Sequence, residues 1–261
     1  MLDGMEKIKD KSGIAPLRNV QLLRALINKV QYRGADMPGM ACFYGFSGYG
    51  KSKAALYNAY EDVANACWIQ IKSVWTRKDL TLKICKGLAI PAGRTVSENV
   101  ERIGEELVKS CRPLLLDEAH LICTDSMMKM LHDIYESSNA EGYEGRRGTA
   151  IILIGEELLP QQLRKYERIH NRLLDRVPAQ PADLREVGLL AQLRCPRLQI
   201  SEEVLERVLI ESRAVARRIV SNLNQIADYA RIEGKSDITG ADAGSINWIN
   251  GEVDPPRGGV E

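Results

Sequence analysis

The sequence predicts an α/β protein in which helices flank a parallel sheet, followed by a small C-terminal helical lid. In the first part of the chain, short apolar runs alternate with segments of helical periodicity, which is the pattern of parallel strands joined by helices. Beyond Pro178 and Pro181 nearly all of the pattern is that of amphipathic helices. With 261 residues, 44% of them hydrophobic, the chain can bury one sizeable core and a small appended one.

The individual elements follow from apolar spacing and from turn residues. Apolar residues three and four positions apart predict a first helix within residues 16–31, and a turn cluster at 34–39 precedes the first strand. The predicted strands are residues 40–44, 67–71, 113–116 and 150–154. The other predicted helices are one that starts at residue 51 and those at 80–88, 96–109, 127–135, 184–193, 201–212 and 213–232.

Composition divides the chain into four parts. Residues 1–15 are polar and residues 251–261 are rich in proline and glycine, so both are predicted to be flexible tails. Residues 16–180 are predicted to form the α/β domain and residues 181–250 the helical lid.

Charge and cysteine content exclude some classes of protein. The 36 lysine and arginine residues balance 35 aspartate and glutamate residues, so any contact with nucleic acid must come from a local basic surface. The six cysteines are widely spaced, form no Cys-x-x-Cys pair and are predicted to be reduced, buried thiols. The N-terminus lacks a signal peptide and no apolar run is long enough to cross a membrane, which favours a cytoplasmic protein with no membrane partner.

The segment after the first predicted strand has the spacing G-x-x-x-x-G-K-S of a phosphate-binding loop. Its glycines let backbone N–H groups turn toward a phosphate, and the helix that follows adds its positive N-terminal end. Lys51 is expected to reach the β- and γ-phosphates of ATP, and Ser52 to bind Mg²⁺. The alternative is a glycine-rich turn without a ligand. The predicted nucleotide-binding residues of this segment are Gly45, Phe46, Ser47, Gly48, Tyr49, Gly50, Lys51, Ser52 and Lys53.

The third predicted strand ends in two carboxylates, Asp117 and Glu118. Because the carboxyl ends of parallel strands meet at one edge of the sheet, this pair is expected beside the phosphate loop. Asp117 is predicted to hold Mg²⁺ or a water bound to it, and Glu118 to act as the base that polarises the attacking water. Without the phosphate loop, an acidic pair after a strand is more often a solvated turn. No role is assigned to His120, two residues further on.

In the order of these motifs, the chain resembles the AAA+ ATPases, and within them the DNA transposition ATPases typified by the phage Mu B protein and TnsC-like regulators. The likeness extends over residues 14–232 and includes the phosphate loop, the Leu-Leu-Leu-Asp-Glu-Ala-His segment and the Ile-Ile-Leu-Ile-Gly end of the fourth strand. It implies a P-loop AAA+ fold, ATP and Mg²⁺ as cofactors, and slow ATP hydrolysis stimulated by assembly or DNA. The family has a polar sensor residue after the fourth strand, where this chain has Glu156. Either Glu156 holds the attacking water or hydrolysis is inefficient.

The resemblance also implies roles for arginines. Arg168, Arg172 and Arg176 are four residues apart and would lie near one face if this stretch is helical. They lie where the family keeps its arginine finger, which a neighbouring subunit presents to the γ-phosphate, and Arg172 is the first choice among them. A solvated basic face is the alternative. In the lid, Arg217 aligns with the γ-phosphate-sensing arginine of the family, with Arg218 as the fallback.

Two basic segments are candidates for contact with DNA, and both face the pore in the ATPases that the chain resembles. A ring or filament that presents them to the phosphate backbone would bind DNA in a salt-dependent way with little sequence preference. A solvated charged surface is the alternative. The predicted DNA-binding residues are Lys72, Trp75, Thr76, Arg77, Lys78, Arg146 and Arg147.

Together with the resemblance, these features predict an ATPase that oligomerises on duplex DNA when ATP is bound, selects target sites and stimulates a transposase in DNA transposition or phage integration. Its partners would be duplex DNA, further copies of itself in a ring or helical filament, and the transposase. A replicative helicase loader and a nucleotide-gated signalling switch without DNA are the alternatives. A metabolic kinase is disfavoured, because an Asp-Glu pair and a helical lid suit activation of water.

Overall fold

The computed structural model describes residues 15–34, 36–60, 63–138 and 149–251. Within these residues the chain forms two compact units. The sheet unit comprises residues 19–47 and 51–179, and the helical unit comprises residues 15–18, 48–50 and 180–251.

The sheet unit is built on parallel strands, which confirms the predicted fold class. Among the described residues the sheet has five strands in the order β2-β3-β4-β1-β5, and each neighbouring pair is parallel. The central strands β1 and β4 are buried along nearly their whole length, as is usual when helices cover both faces of a parallel sheet. The strands are β1 (Met40–Tyr44), β2 (Cys67–Gln70), β3 (Leu114–Asp117), β4 (Ile151–Gly155) and β5 (Leu173–Pro178).

Amphipathic helices cover this sheet. Helices α3, α4 and α5 bury leucine, isoleucine, valine and methionine residues in the same core as the strands, and the removal of this apolar surface from water stabilises the unit. The helices of the sheet unit are α1 (Arg18–Gln31), α2 (Lys51–Asn58), α3 (Arg77–Leu88), α4 (Val96–Ser110), α5 (Asp125–Ser137), α6 (Leu159–Leu163) and α7 (Glu167–His170). A 3₁₀-helix, Ala119–Ile122, follows β3.

The helical unit has a separate apolar core. It contains α8 (Leu184–Arg194), α9 (Glu202–Glu211) and α10 (Ala216–Glu233), together with two-residue strands β6 (Gln199–Ile200) and β7 (Asp237–Ile238) that pair in parallel. Residues buried in its core include Val187, Val204, Val208, Ile219, Leu223 and Ile226. The last helix begins later than residue 213, because Arg213 and Ala214 have φ angles of 49° and 56°, which do not continue a right-handed helix.

The stretch around the three candidate finger arginines is not one helix. Helix α7 ends at His170 and β5 begins at Leu173, so the arginines at 168, 172 and 176 do not share one helical face. Strand β5 lies at an edge of the sheet, beside β1 only. An edge strand tolerates charged residues such as Asp175 and Arg176, and these charges conceal the strand pattern in the sequence.

The cysteines are all free, but they are not all buried. Cys111 is exposed and Cys123 is half-buried, whereas the other four are buried. Burial raises the pKa of Cys67 to about 11 and that of Cys123 to about 11. No helix in the described ranges is long and apolar enough to cross a membrane.

Candidate nucleotide-binding site

The phosphate loop joins β1 to α2. Gly48 and Gly50 have φ angles of 86° and 84°, a region that side chains with a Cβ rarely enter, so glycine is required at both positions. Helix α2 begins at Lys51, and the first N–H groups of a helix have no carbonyl partner within it. The loop therefore ends in unpaired donors and the positive end of a helix, which together suit a phosphate group.

Lys51 is buried and turns back onto the loop. Its Nζ donates hydrogen bonds to the carbonyl oxygens of Gly45 at 2.6 Å and Phe46 at 2.9 Å. Burial lowers the pKa of the ammonium group, while the nearby carboxylates of Glu118, Asp117, Glu156 and Glu157 act in the opposite direction. The ammonium group of Lys51 is thus hydrogen-bonded to carbonyl oxygens of the loop. It can exchange these partners for phosphate oxygens when a nucleotide binds.

Asp117 ends β3 as a fully buried carboxylate. Its Oδ1 accepts a hydrogen bond from the backbone N–H of Glu118 at 3.0 Å, whereas Oδ2 is buried and accepts none from any described residue. Burial raises the pKa of Asp117, and the nearby Ser52 hydroxyl, the Glu118 amide and Trp68 partly offset this effect. A buried carboxylate oxygen without a partner costs free energy unless a ligand satisfies it.

These groups fit a magnesium ion. Mg²⁺ prefers oxygen ligands and is usually bound through one or two protein groups together with substrate phosphates and water. The unpartnered Oδ2 of Asp117 and the neighbouring hydroxyl of Ser52 supply such a donor set. In the part of the chain that the structure describes, no group of three or more histidine, cysteine or acidic residues could hold a metal by itself. A magnesium ion bound here would add positive charge at the γ-phosphate and orient it.

Glu118 and Glu156 follow neighbouring strands at the same edge of the sheet. Glu118 comes directly after β3 and has a left-handed backbone conformation, with φ at 61°. Glu156 comes directly after β4, which pairs with β3, and its side chain is half exposed. His120 lies close to both carboxylates: its Nδ1 is 3.5 Å from Glu118 Oε2 and its Nε2 is 3.8 Å from Glu156 Oε2.

The candidate finger arginines have different surroundings. Arg172 is held in its own chain by Glu136, whose Oε1 lies 2.9 Å from Nη2 and 3.2 Å from Nε of the arginine. The Nη2 of Arg176 donates to the carbonyl oxygen of His170 at 3.5 Å. Arg168 is exposed on α7.

The lid arginines lie at the start of α10. The helical unit includes Gly48, and its carbonyl oxygen accepts a hydrogen bond from the backbone N–H of Arg217 at 3.1 Å. The Arg217 side chain is exposed. The Arg218 guanidinium instead packs against the backbone at Gly251, where an added Cβ would lie 2.4 Å from its Cζ.

The first basic segment, residues 72–78, contains exposed charged residues together with residues that have structural roles. Lys72, Arg77 and Lys78 are exposed. Trp75 was predicted to contact DNA, but its side chain is half-buried and packs against the core of the sheet unit, so it has a structural role. Thr76 caps α3 in a capping box with Asp79: Thr76 Oγ1 accepts from the backbone N–H of Asp79 at 3.3 Å, and Asp79 Oδ2 accepts from the backbone N–H of Thr76 at 2.9 Å. The second segment, which contains the arginines at 146 and 147, lies outside the described residues.

Three further residues lie near the candidate site residues, and no role was predicted for any of them from the sequence. His120 lies between the two carboxylates, Glu136 holds Arg172, and the buried indole N–H of Trp68 has no hydrogen-bond partner among the described residues. The only sequence signal for His120 is its place two residues after Glu118. Glu136 and Trp68 are far in sequence from the residues beside which they lie, Arg172 and Asp117, so no local pattern points to them.

The chain matches the model of the AAA domain over residues 35–163. A comparison with curated proteins gives no match. Several solved structures are similar in fold. The ORC2 protein of Aeropyrum pernix in its ADP form has a TM-score of 0.68 and 14% identity, over 92% of this chain and 71% of that one.

Two further structures extend the comparison. The A. pernix ORC1 protein in complex with DNA has a TM-score of 0.60 and 15% identity, over 87% of this chain and 63% of that one. The Thermotoga maritima RuvB Holliday junction branch migration motor has a TM-score of 0.58 and 13% identity, over 87% of this chain and 67% of that one. The chain thus spans less than two thirds of the ORC1 chain. Together these likenesses identify the P-loop AAA+ fold.

Proposed function

We propose that this AAA+ chain is a Mg²⁺-dependent ATPase. One observation carries the proposal: Asp117 has a buried carboxylate oxygen without a partner, close to Ser52 and to the Lys51 ammonium group. This is the arrangement that Mg²⁺ and the β- and γ-phosphates of ATP would complete. A glycine-rich turn without a ligand gives no reason to keep a carboxylate oxygen buried and unpaired.

The proposed roles follow from the positions of the side chains. Lys51 binds the β- and γ-phosphates after it leaves the loop carbonyls, and Ser52 and Asp117 hold Mg²⁺. Glu118 polarises the attacking water, because it follows β3 directly, at the edge of the sheet where Asp117 lies. Glu156, at the end of the neighbouring strand, helps to hold that water.

The finer assignments rest on the family resemblance. Phe46, Ser47, Tyr49 and Lys53 complete the phosphate loop. Residues 16–180 act as the nucleotide-binding domain, and residues 181–250 act as the lid. Within that lid, Arg217 serves as the sensor of the γ-phosphate. Arg172 is the proposed finger that a neighbouring copy presents across the subunit joint.

We further propose that the ATP-bound protein assembles on duplex DNA. The exposed side chains of Lys72, Arg77 and Lys78 form the proposed contact with the phosphate backbone. Arg77 and Lys78 are the first two residues of α3, and Lys72 precedes its capping residue Thr76. One structure of similar fold, the ORC1 protein, was solved in complex with DNA. Target selection and stimulation of a transposase are the role that the resemblance favours.

The experiment measures ATP hydrolysis with and without Mg²⁺ and duplex DNA, for the wild type and for Asp117→Asn. The proposal expects Mg²⁺-dependent hydrolysis in the wild type that DNA stimulates, and loss of hydrolysis of about 100-fold or more in the variant. Asp133→Asn, on the exposed side of α5, controls for the loss of a carboxylate. Hydrolysis without stimulation by DNA would favour a signalling switch, and no hydrolysis in any condition would refute the proposal.

A further inference from the structure

His120 occupies the space between the two carboxylates at the edge of the sheet. It is the second residue of the 3₁₀-helix Ala119–Ile122, and its side chain is only 16% exposed. The ring nitrogens point in opposite directions, Nδ1 toward Glu118 at 3.5 Å and Nε2 toward Glu156 at 3.8 Å. Both distances exceed those of a good hydrogen bond.

The Nδ1 atom of His120 is buried and has no hydrogen-bond partner among the described residues. A neutral imidazole has one N–H donor and one acceptor nitrogen. It can therefore donate to one of the two carboxylates but not to both. Glu118 lies closer, and a small movement of its side chain would bring Oε2 within hydrogen-bond distance of Nδ1.

The backbone is shaped to admit the imidazole at this place. Gly155 ends β4, and a Cβ added there would lie 3.3 Å from His120 Nδ1, 3.4 Å from His120 N and 2.9 Å from Leu159 Cδ2. A Cβ at this position would press on the Leu159 side chain first and would also require the imidazole to shift by a few tenths of an ångström. The left-handed conformation of Glu118, with φ at 61°, is unfavourable for a residue with a Cβ and is more common at functional sites.

We propose that His120 is a positioning residue for hydrolysis: its Nδ1–H donates to Glu118 and fixes the direction in which that carboxylate faces the attacking water. Glu156 competes for the same imidazole through Nε2. When Nδ1 carries the proton, the ring holds Glu118 in its productive orientation. When Nε2 carries the proton, the ring donates to Glu156 and Glu118 is not held. This inference rests on the proposed ATPase function, because the orientation of Glu118 matters only if Glu118 activates water.

The test compares His120→Ala, His120→Asn and His120→Gln in steady-state ATP hydrolysis and in binding of a fluorescent ATP analogue. The amide nitrogen of asparagine lies near the position of Nδ1, and that of glutamine near the position of Nε2. We expect His120→Ala to lower kcat about 10- to 100-fold with ATP affinity unchanged, because a displaced base loses roughly this much. His120→Asn should recover most of kcat, and His120→Gln should not.

A double variant separates positioning from a general loss of stability. If His120 acts through Glu118, then Glu118→Gln with His120→Ala should be no slower than Glu118→Gln alone. His132→Ala is the control for stability. Its thermal unfolding shows how much stability is lost when a similarly buried imidazole is removed, because His132 is 15% exposed and also lies near two carboxylates, at 3.9 Å and 3.4 Å.

The outcomes distinguish this inference from the proposed function. If the wild type hydrolyses no ATP in any condition, the proposed function fails. If the wild type is active and Glu118→Gln hydrolyses ATP at the wild-type rate, the role of Glu118 as the base is refuted, and the role of His120 with it. If Glu118→Gln is inactive while all three His120 variants keep the wild-type kcat, only the role of His120 is refuted. Equal losses in the asparagine and glutamine variants would also overturn it, because they would show that the position of the donor is unimportant.

Discussion

The guanidinium of Arg172 is bound by the Glu136 carboxylate of the same chain, through Nη2 at 2.9 Å and Nε at 3.2 Å. The pair is about half exposed, so its Coulomb energy is small and screened by salt. The ring of Tyr135 lies 5.9 Å from the guanidinium carbon. An arginine held in this way must leave Glu136 before it can reach a phosphate of another subunit.

Arg172→Ala should lower ATP hydrolysis by the assembled protein about 1000-fold, since an arginine finger contributes 10³–10⁵ in kcat to other P-loop enzymes. Hydrolysis is measured above and below the protein concentration at which assemblies form. Glu136→Gln should release Arg172 and leave assembled hydrolysis unchanged or raise it. If Arg168→Ala or Arg176→Ala causes the large loss and Arg172→Ala does not, Arg172 is not the finger.

Much of the fold could be predicted from the sequence, because the patterns that mark most strands and helices are local. Three of the four predicted strand segments are followed by a glycine or an acidic residue, at Gly45, Asp117 and Gly155, and helical periodicity marks the larger helices. Strand β5 was missed because Asp175 and Arg176 interrupt its apolar pattern at the sheet edge. Glu118 has a left-handed φ angle that no residue pattern around it signals. The contact of Arg172 with Glu136 joins residues that are distant in the chain, so no local pattern could predict it.

Lys51→Ala should weaken binding of ATP about 10- to 100-fold, because it removes a charge-assisted interaction with the phosphates. The measurement is titration with a fluorescent ATP analogue in the presence of Mg²⁺. Lys83→Ala, on the exposed side of α3, is the matched control and should bind as the wild type does. Equal affinity of Lys51→Ala and Lys83→Ala would contradict the proposed role of the loop.

The double variant Lys72→Glu with Lys78→Glu should weaken binding of duplex DNA at every sequence tested. Each phosphate contact contributes roughly 0.9 to the slope of log affinity against log salt, so that slope should fall by about 2. Fluorescence anisotropy of labelled duplex DNA over a series of salt concentrations gives this slope. Lys83→Glu with Lys86→Glu makes the same change of charge on α3, and an equal effect from that pair would point to net charge instead of a specific contact.

Asp242 should make the stability of the helical unit sensitive to acid. Its Oδ2 accepts hydrogen bonds from N and Oγ1 of Thr239 at 2.9 Å and 3.1 Å, and its Oδ1 accepts from Lys235 and, at 3.0 Å, from the Tyr229 hydroxyl. The Lys235 hydrogen bond, followed by the Thr239 amide, holds the pKa of Asp242 well below its usual range.

A carboxyl group whose pKa is lower in the folded state stabilises the fold above its unfolded pKa of about 3.9, and this stabilisation is lost as the pH falls toward the folded pKa. Asp242→Asn should therefore unfold at a lower temperature than the wild type at pH 7, with a difference that shrinks below about pH 4. Thermal unfolding from pH 7 to pH 2.5 measures it. A constant difference over this range would show that the ionised form of Asp242 contributes nothing.

The central claim is that bound ATP allows copies of the chain to assemble on duplex DNA. Sedimentation velocity of the protein with Mg²⁺, a slowly hydrolysed ATP analogue and a duplex of defined length tests it most directly, with Lys51→Ala in parallel. We expect large DNA-bound assemblies of the wild type that disappear without nucleotide and in Lys51→Ala. A wild-type protein that sediments as a single copy at saturating nucleotide and DNA would contradict it.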